Sequence, residues 1–238
     1  NGKEVKAILG VTLDIEEGEF VSFVGPSGCG KTTLLKMIPG IIEPTTGSIK
    51  ILGKSSADAR KDKMFGIIFQ EPILPQWKTA YDNIKLLLEI VGADKNEISA
   101  RCNHLLKTVG LEKFKDSRPH ELSGGMQQRV SIARALSINP SILLMDEPFA
   151  SLDEITKQEL YGEFLTIWEK MGKTVVLVTH NIHEAVLFSD RVVVISPHPG
   201  TVREIVRIGL PRPRRVEMVE SLEFIECSKK VRAVMREA

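Results

Sequence analysis

Gly25-Pro26-Ser27-Gly28-Cys29-Gly30-Lys31-Thr32 decides how this chain is read. The stretch fits G-x-x-x-x-G-K-S/T, a loop that cradles phosphate. The run before it, Glu19 to Val24, has the apolar content of a strand. The run after it, Lys31 to Ile38, has helical spacing and stops at Pro39-Gly40. A strand, this loop and a helix in that order are the context the motif requires. The glycines let successive backbone N–H groups curl around phosphate oxygens, and the helix start adds partial positive charge. Lys31 is expected at the β- and γ-phosphates, the Thr32 hydroxyl at Mg²⁺ and Thr33 at the α-phosphate. Cys29 has two readings: a small buried space-filler, or a reactive thiol that a ligand bound in the loop shields.

Further strands are expected on both sides of this loop. Phe65 to Phe69, Ile142 to Met145, Thr174 to Val178 and Arg191 to Ile195 are near-continuous apolar runs, as in parallel strands covered on both faces. Val11, Leu13 and Ile15 alternate with polar residues and predict a half-buried strand. Residues 79–136 carry apolar spacings of three and four, so this region reads as helical. A helix is also expected over Lys157 to Met171. Beyond Pro197 and Pro199 come a β-like piece, Thr201 to Ile208, and a last amphipathic helix presenting Phe224, Cys227, Val231 and Val234. The expectation is an α/β core of about residues 1–77 and 139–208. It includes an N-terminal antiparallel β subdomain, with an inserted helical subdomain at 78–138 and a tail at 209–238.

Composition narrows the function. The 238 residues carry 32 Lys and Arg against 31 Asp and Glu, a net charge of +1. That balance argues against a protein that grips nucleic acid by bulk charge. Mean hydropathy is -0.02, and no apolar run approaches the ~18 residues needed to span a bilayer. Cys29, Cys102 and Cys227 are scattered and odd in number, without disulfide or zinc spacing. The opening Asn1-Gly2-Lys3-Glu4 lacks a signal core. A reducing, intracellular setting is the expectation.

Two more stretches carry chemistry. Ile142-Leu143-Leu144-Met145 runs into Asp146-Glu147, and ligands of parallel sheets sit beyond such strand ends. Asp146 can hold Mg²⁺, and Glu147 can take a proton from attacking water. Leu122-Ser123-Gly124-Gly125-Met126-Gln127-Gln128-Arg129 opens a helix, with Ser123 as its N-cap. It reads as a second anion site in a chain with only one nucleotide loop.

Together these motifs resemble the ATP-binding subunits of ABC transporters, over about Val5 to Val206. The resemblance implies a P-loop ATPase with ATP and Mg²⁺. It makes Gln70 a contact of Mg²⁺ or water and a sensor of the permease. His180 becomes a contact of the γ-phosphate, and Asp153, in Ser151-Leu152-Asp153, a dimer-seam residue. It further implies a homodimer sandwiching ATP between the P-loop of one copy and Ser123-Gly124-Gly125 of the other. Partner permease subunits, a solute-binding protein and the cytoplasmic face of the inner membrane follow, with no nucleic acid.

Finer features resemble particular importers. Glu71 to Trp77 looks like the segment lining the permease groove, where Trp77 is either a hot spot or a buried anchor. Leu210-Pro211-Arg212-Pro213-Arg214 and Phe149 to Asp153 resemble nitrate, sulfonate and taurine importers. Arg203, Arg207, Arg212, Arg214 and Arg215 form either a solvated face or a face toward anionic lipid. The family's adenine-stacking aromatic is expected upstream of Asn1, since Asn1 to Ile15 contains none. The competing reading is a soluble ABC ATPase associated with DNA or ribosomes. It usually brings long coiled coils or two cassettes, and neither is visible here.

Overall fold

The computed structural model describes residues 6–236. They group into two compact units, one of residues up to 62 with those from 172 on, the other of residues 63–171.

The first unit is built on β1 (Phe20–Val24). Every residue of this strand is buried, and parallel strands flank it on both sides: β6 (Thr174–Val178) and β7 (Arg191–Ile195). β8 (Val202–Arg207) adds antiparallel to β7, with a bulge at Val194/Ile195. α1 (Lys31–Met37) follows β1, and α7 (Ile182–Phe188) follows β6. β2 (Lys50–Ile51) and β3 (Lys54–Ser55) form a short antiparallel hairpin that leads into α2 (Ser56–Lys61), capped by Ser55. α8 (Leu222–Arg236) packs on α7, where its Phe224 meets His183, and Phe224 and Val231 are both buried. Cys227 and Val234 lie at the edge of that face.

Val11, Leu13 and Ile15 form no strand. They are half-buried and alternate with exposed Thr12, Asp14 and Glu16. Alternation records which side is covered, whereas a strand also needs a backbone partner. Here the Asp14 carbonyl is taken by Arg191 Nη2 at 2.6 Å, and the same guanidinium pairs with Glu19. Among the described residues, the antiparallel part of the N-terminal region is therefore the β2–β3 hairpin, and Ile8 makes a parallel bridge to Gly200.

In the second unit β4 (Phe65–Ile68) pairs in parallel with β5 (Ile142–Asp146). The helices are α3 (Ala80–Ile90), α4 (Lys95–Thr108), α5 (Gly124–Ser137) and α6 (Glu154–Met171). Thr79, Asp94 and Ser123 cap the first three with their side chains. Each cap satisfies an amide that the helix leaves open, a contribution of about 1 kcal/mol. α3 packs on α5, with Ile84 and Leu88 of α3 buried, and Phe149 lies edge-to-face with Tyr161 and Phe164.

Candidate nucleotide site

In the first unit the loop Gly25–Gly30 leaves the C-terminal end of β1, and α1 begins at Lys31. A Cβ on Gly25 would lie 2.5 Å from the Ile195 carbonyl oxygen and 2.9 Å from Cys29 Sγ, so only glycine lets the loop turn so tightly here. Gly28, at φ +79°, has nothing within 4 Å of where its Cβ would stand. That combination of a packed floor and an open rim suits a backbone cradle for phosphate. Pro26, Ser27 and Gly28 are exposed, and Thr32 and Thr33 half-buried. The loop is braced from below. A Cβ on Gly200 would collide with the Cys29 carbonyl, and Gly200 N donates to Ala7 O at 3.0 Å.

Lys31 is 6% exposed, and its ammonium turns inward. Nζ donates to Gly25 O at 2.9 Å and Pro26 O at 3.0 Å, and lies 3.8 Å from Cys29 Sγ. Cys29 is 1% exposed, which settles its side chain as a packed element of the loop.

His180 stands just past β6 and is exposed. The register pairs Phe23 with Val178, so Gly25 and His180 leave adjacent strands at the same edge. The turn at His180 is stapled. Thr179 Oγ1 donates to buried Glu184, and Asn181 N donates back to Thr179 Oγ1 at 3.0 Å. Asn181 Oδ1 then caps α7, accepting from His183 N and Glu184 N.

The second unit carries the remaining residues. Ile68 pairs with Met145, so Gln70 and Glu147 emerge side by side beyond β4 and β5. Glu147 adopts φ +46°, a left-handed backbone that costs a non-glycine residue about 1–2 kcal/mol. Ala150 N donates to its carbonyl at 3.1 Å. Such strain persists where the surroundings fix it, and it concentrates at functional sites.

At the start of α5, Ser123 Oγ accepts from Met126 N at 3.3 Å, the N-cap that the sequence predicts. Gly124 is exposed, whereas Gly125 is buried: a Cβ there would meet Thr156 Cγ2 at 2.5 Å. Asp153 Oδ1 accepts from Thr156 N at 3.1 Å. Hydrogen bonds from the Thr156 side chain and amide hold this exposed carboxyl below the usual range. Ser123-Gly124-Gly125 and Asp153 thus meet at the first turn of α6. Two side chains of α5 that the sequence does not single out reach the segment around Gln70. Gln128 Nε2 contacts Phe69 O at 3.5 Å, and Arg134 donates to Ile73 O at 2.6 Å.

Trp77 is 77% exposed, which removes the reading of it as a buried anchor, and Ile73 in the same segment is also exposed. Of the C-terminal arginines, Arg203, Arg207 and Arg215 are exposed, and the other two are corrected. Arg214 is buried and Arg212 pairs with Asp190, so neither belongs to a solvated or lipid-facing patch. The region upstream of Asn1, where the adenine-stacking aromatic is expected, lies outside the described residues.

The family model for ABC transporters matches residues 8–150. An uncharacterized ABC transporter ATP-binding protein of Methanocaldococcus jannaschii is 47% identical over 237 residues, which cover 100% of this chain and 87% of the relative. The nitrate import ATP-binding protein NrtD of Synechococcus elongatus is 44% identical, with 90% of this chain and 78% of the relative covered. A dimeric structure of a post-hydrolysis state of the ATP-binding cassette MJ0796, bound to ADP and Pi, superposes with a TM-score of 0.76 at 37% identity. It covers 89% of this chain and 95% of that one. The chain belongs to the ABC transporter family, as an ATP-binding subunit with the fold of its P-loop ATPases. Among the described residues no helix is long and apolar enough to cross a membrane.

Proposed function

We propose that the chain hydrolyses ATP to drive import of a small solute, of the nitrate, sulfonate or taurine class, through separate permease subunits. Relatives named as taurine and nitrate import ATP-binding proteins support the solute class. Two copies close on ATP, each P-loop facing Ser123-Gly124-Gly125 of the other copy, with Asp153 at the seam; the dimeric cassette structures support the pairing of two copies. The helices of residues 78–138 are the inserted subdomain that meets the permease. A solute-binding protein on the far side of the inner membrane would deliver the cargo.

Within the site, the Gly25–Gly30 backbone and Lys31 bind the β- and γ-phosphates, and Thr33 holds the α-phosphate. Glu147 accepts the proton of the attacking water, and His180 donates to the γ-phosphate. Thr32, Asp146 and Gln70 offer hydroxyl, carboxylate and amide oxygens, a hard donor set suited to Mg²⁺. When bound, Mg²⁺ supplies charge neutralisation of the phosphate oxygens.

The observation that carries the transporter reading is Trp77, which is 77% exposed. It shares the segment after Gln70 with Ile73, a second exposed apolar side chain. An aromatic left bare next to catalytic machinery is the usual anchor of a partner. Trp77→Ala should leave melting and the ATPase of the isolated chain intact. In native membranes it should reduce recovery of integral membrane proteins on the tagged chain. Recovery undiminished by the substitution removes Trp77 from the interface, and no membrane protein with the wild-type chain sinks the transporter reading in favour of a soluble ATPase.

A further inference from the structure

α7 has only seven residues, too short to hold its shape alone. Its N-terminal end is the stapled turn that carries His180. Its C-terminal end is held from outside, by the tail. Arg214 is 3% exposed and donates to Val186 O at 3.1 Å, Leu187 O at 3.2 Å and Ser189 O at 2.6 Å, with Ile208 O at 3.5 Å. Arg212 Nη2 donates to Phe188 O at 2.9 Å, and Arg212 also makes two bonds to Asp190 Oδ1, at 3.0 and 2.8 Å. Two guanidiniums therefore occupy the carbonyls of Val186, Leu187, Phe188 and Ser189, the groups a helix end leaves open. Their charge also complements the negative end of the helix dipole.

The knot is tied to the strand that carries the nucleotide loop. Asp190 Oδ2 accepts from Phe20 N at 2.9 Å, at the start of β1, and Phe188 stacks on Phe20 with ring centroids 5.7 Å apart. Ser189 Oγ bonds Ser22 Oγ in the middle of β1. On the other side of α7, Phe224 of α8 lies edge-to-face with His183 at 5.8 Å. The helix after His180 is thus clamped between β1 and the tail, and the tail supplies its C-terminal cap.

We infer that Arg214, with Arg212, is a positioning residue for His180. By fixing the end of α7 it fixes the turn from which the histidine addresses the γ-phosphate. The inference rests on the proposed role of His180. Arginine suits the task because one planar fork reaches several carbonyls, which a lysine ammonium does not.

The test uses the full chain with Arg214→Gln, Arg212→Gln and His180→Ala, singly and combined. Melting, ADP affinity and the kcat and KM of ATP hydrolysis are measured for each. ADP lacks the γ-phosphate, so its affinity should stay within about twofold while kcat falls by about tenfold to hundredfold, the scale of a misplaced catalytic group. In the His180→Ala background the arginine substitutions should cost less than about twofold more, because the residue they position is gone. Should Arg214→Gln not fold, Arg212→Gln, whose side chain is partly exposed, carries the same comparison. Normal kcat in folded arginine variants beside an impaired His180→Ala overturns the inference alone. So does a kcat loss that multiplies in full with His180→Ala, or one that follows a matching loss of ADP affinity. Normal turnover in His180→Ala removes the role of the histidine itself, and the inference with it.

Discussion

Lys31 Nζ donates to the carbonyl oxygen of Gly25 at 2.9 Å, so the cation of the nucleotide loop is bonded to the loop's own backbone. This bond and its partner on Pro26 occupy two of the three ammonium protons and curl the side chain over the loop. The lysine is therefore a brace for the loop, beside the phosphate role proposed for it.

Lys31→Ala removes both roles. ATP affinity should fall about tenfold to a hundredfold, the value of a charge-assisted bond or two, and turnover should fall with it. Titration with a fluorescent ATP analogue and a phosphate-release assay read the two effects. Unchanged affinity would refute the assignment of the loop.

Glu147→Gln keeps the size of the side chain and loses its basicity, so turnover should fall by roughly 10²–10⁴ with ATP affinity retained. The backbone at φ +46° adds a second expectation. Glu147→Gly and Glu147→Ala both lack the carboxylate, but only glycine tolerates the left-handed conformation without strain. The glycine variant should be the more stable of the two by about 1 kcal/mol. Equal melting temperatures would show that the local backbone relaxes.

Gly125→Ala places a methyl against Thr156 Cγ2, a stiff β-branched group on a helix. It should cost about 1–3 kcal/mol, even before a second copy is present. Adding Thr156→Ser deletes the opposing methyl and should recover most of that loss, since the Thr156 amide that bonds Asp153 is kept. Denaturant unfolding of the single and double variants measures the recovery; no recovery would place the clash elsewhere.

Burial pushes the Cys102 thiol up to about 11. The sign follows from which state ionises first. A thiol in the unfolded chain loses its proton near pH ~8.5, and the folded one holds it until about 11. The contribution of Cys102 is fully present below the lower value and is lost as pH climbs toward the upper one, on the order of 3 kcal/mol in all. Cys102→Ala should flatten the alkaline fall in stability between these limits. An identical slope in both proteins would contradict the shift.

The strands were legible because burial on both faces writes itself as uninterrupted apolar runs: Thr174–Val178 and Arg191–Ile195 are bounded as their sequence predicts. The loop Gly25–Thr32 was legible because its geometry demands glycine and lysine at fixed spacing. Residues 11–15 misled because their period of two reports cover rather than pairing, and Arg191 claims the carbonyl at Asp14. The roles of Arg134, Arg212 and Arg214 were hidden for another reason. Each acts by donating to backbone carbonyls, and carbonyls leave no trace in residue identity. Trp77 shows the same limit, since an exposed and a buried tryptophan are spelled alike.

The place of β1 between β6 and β7 governs how the chain is made. β1 is made by residue 24, yet both of its neighbours lie beyond residue 173. Even the floor of the nucleotide loop waits for Gly200, whose packing against Cys29 closes the turn. Closing contacts so distant along the chain is slow, because a long loop must be ordered before any pairing rewards it. A nascent polypeptide halted before residue 174 thus carries the Gly25–Thr32 motif without either strand that flanks β1. The floor of the loop is therefore completed only once Gly200 has been made, so its shape reports on a strand order already closed around β1.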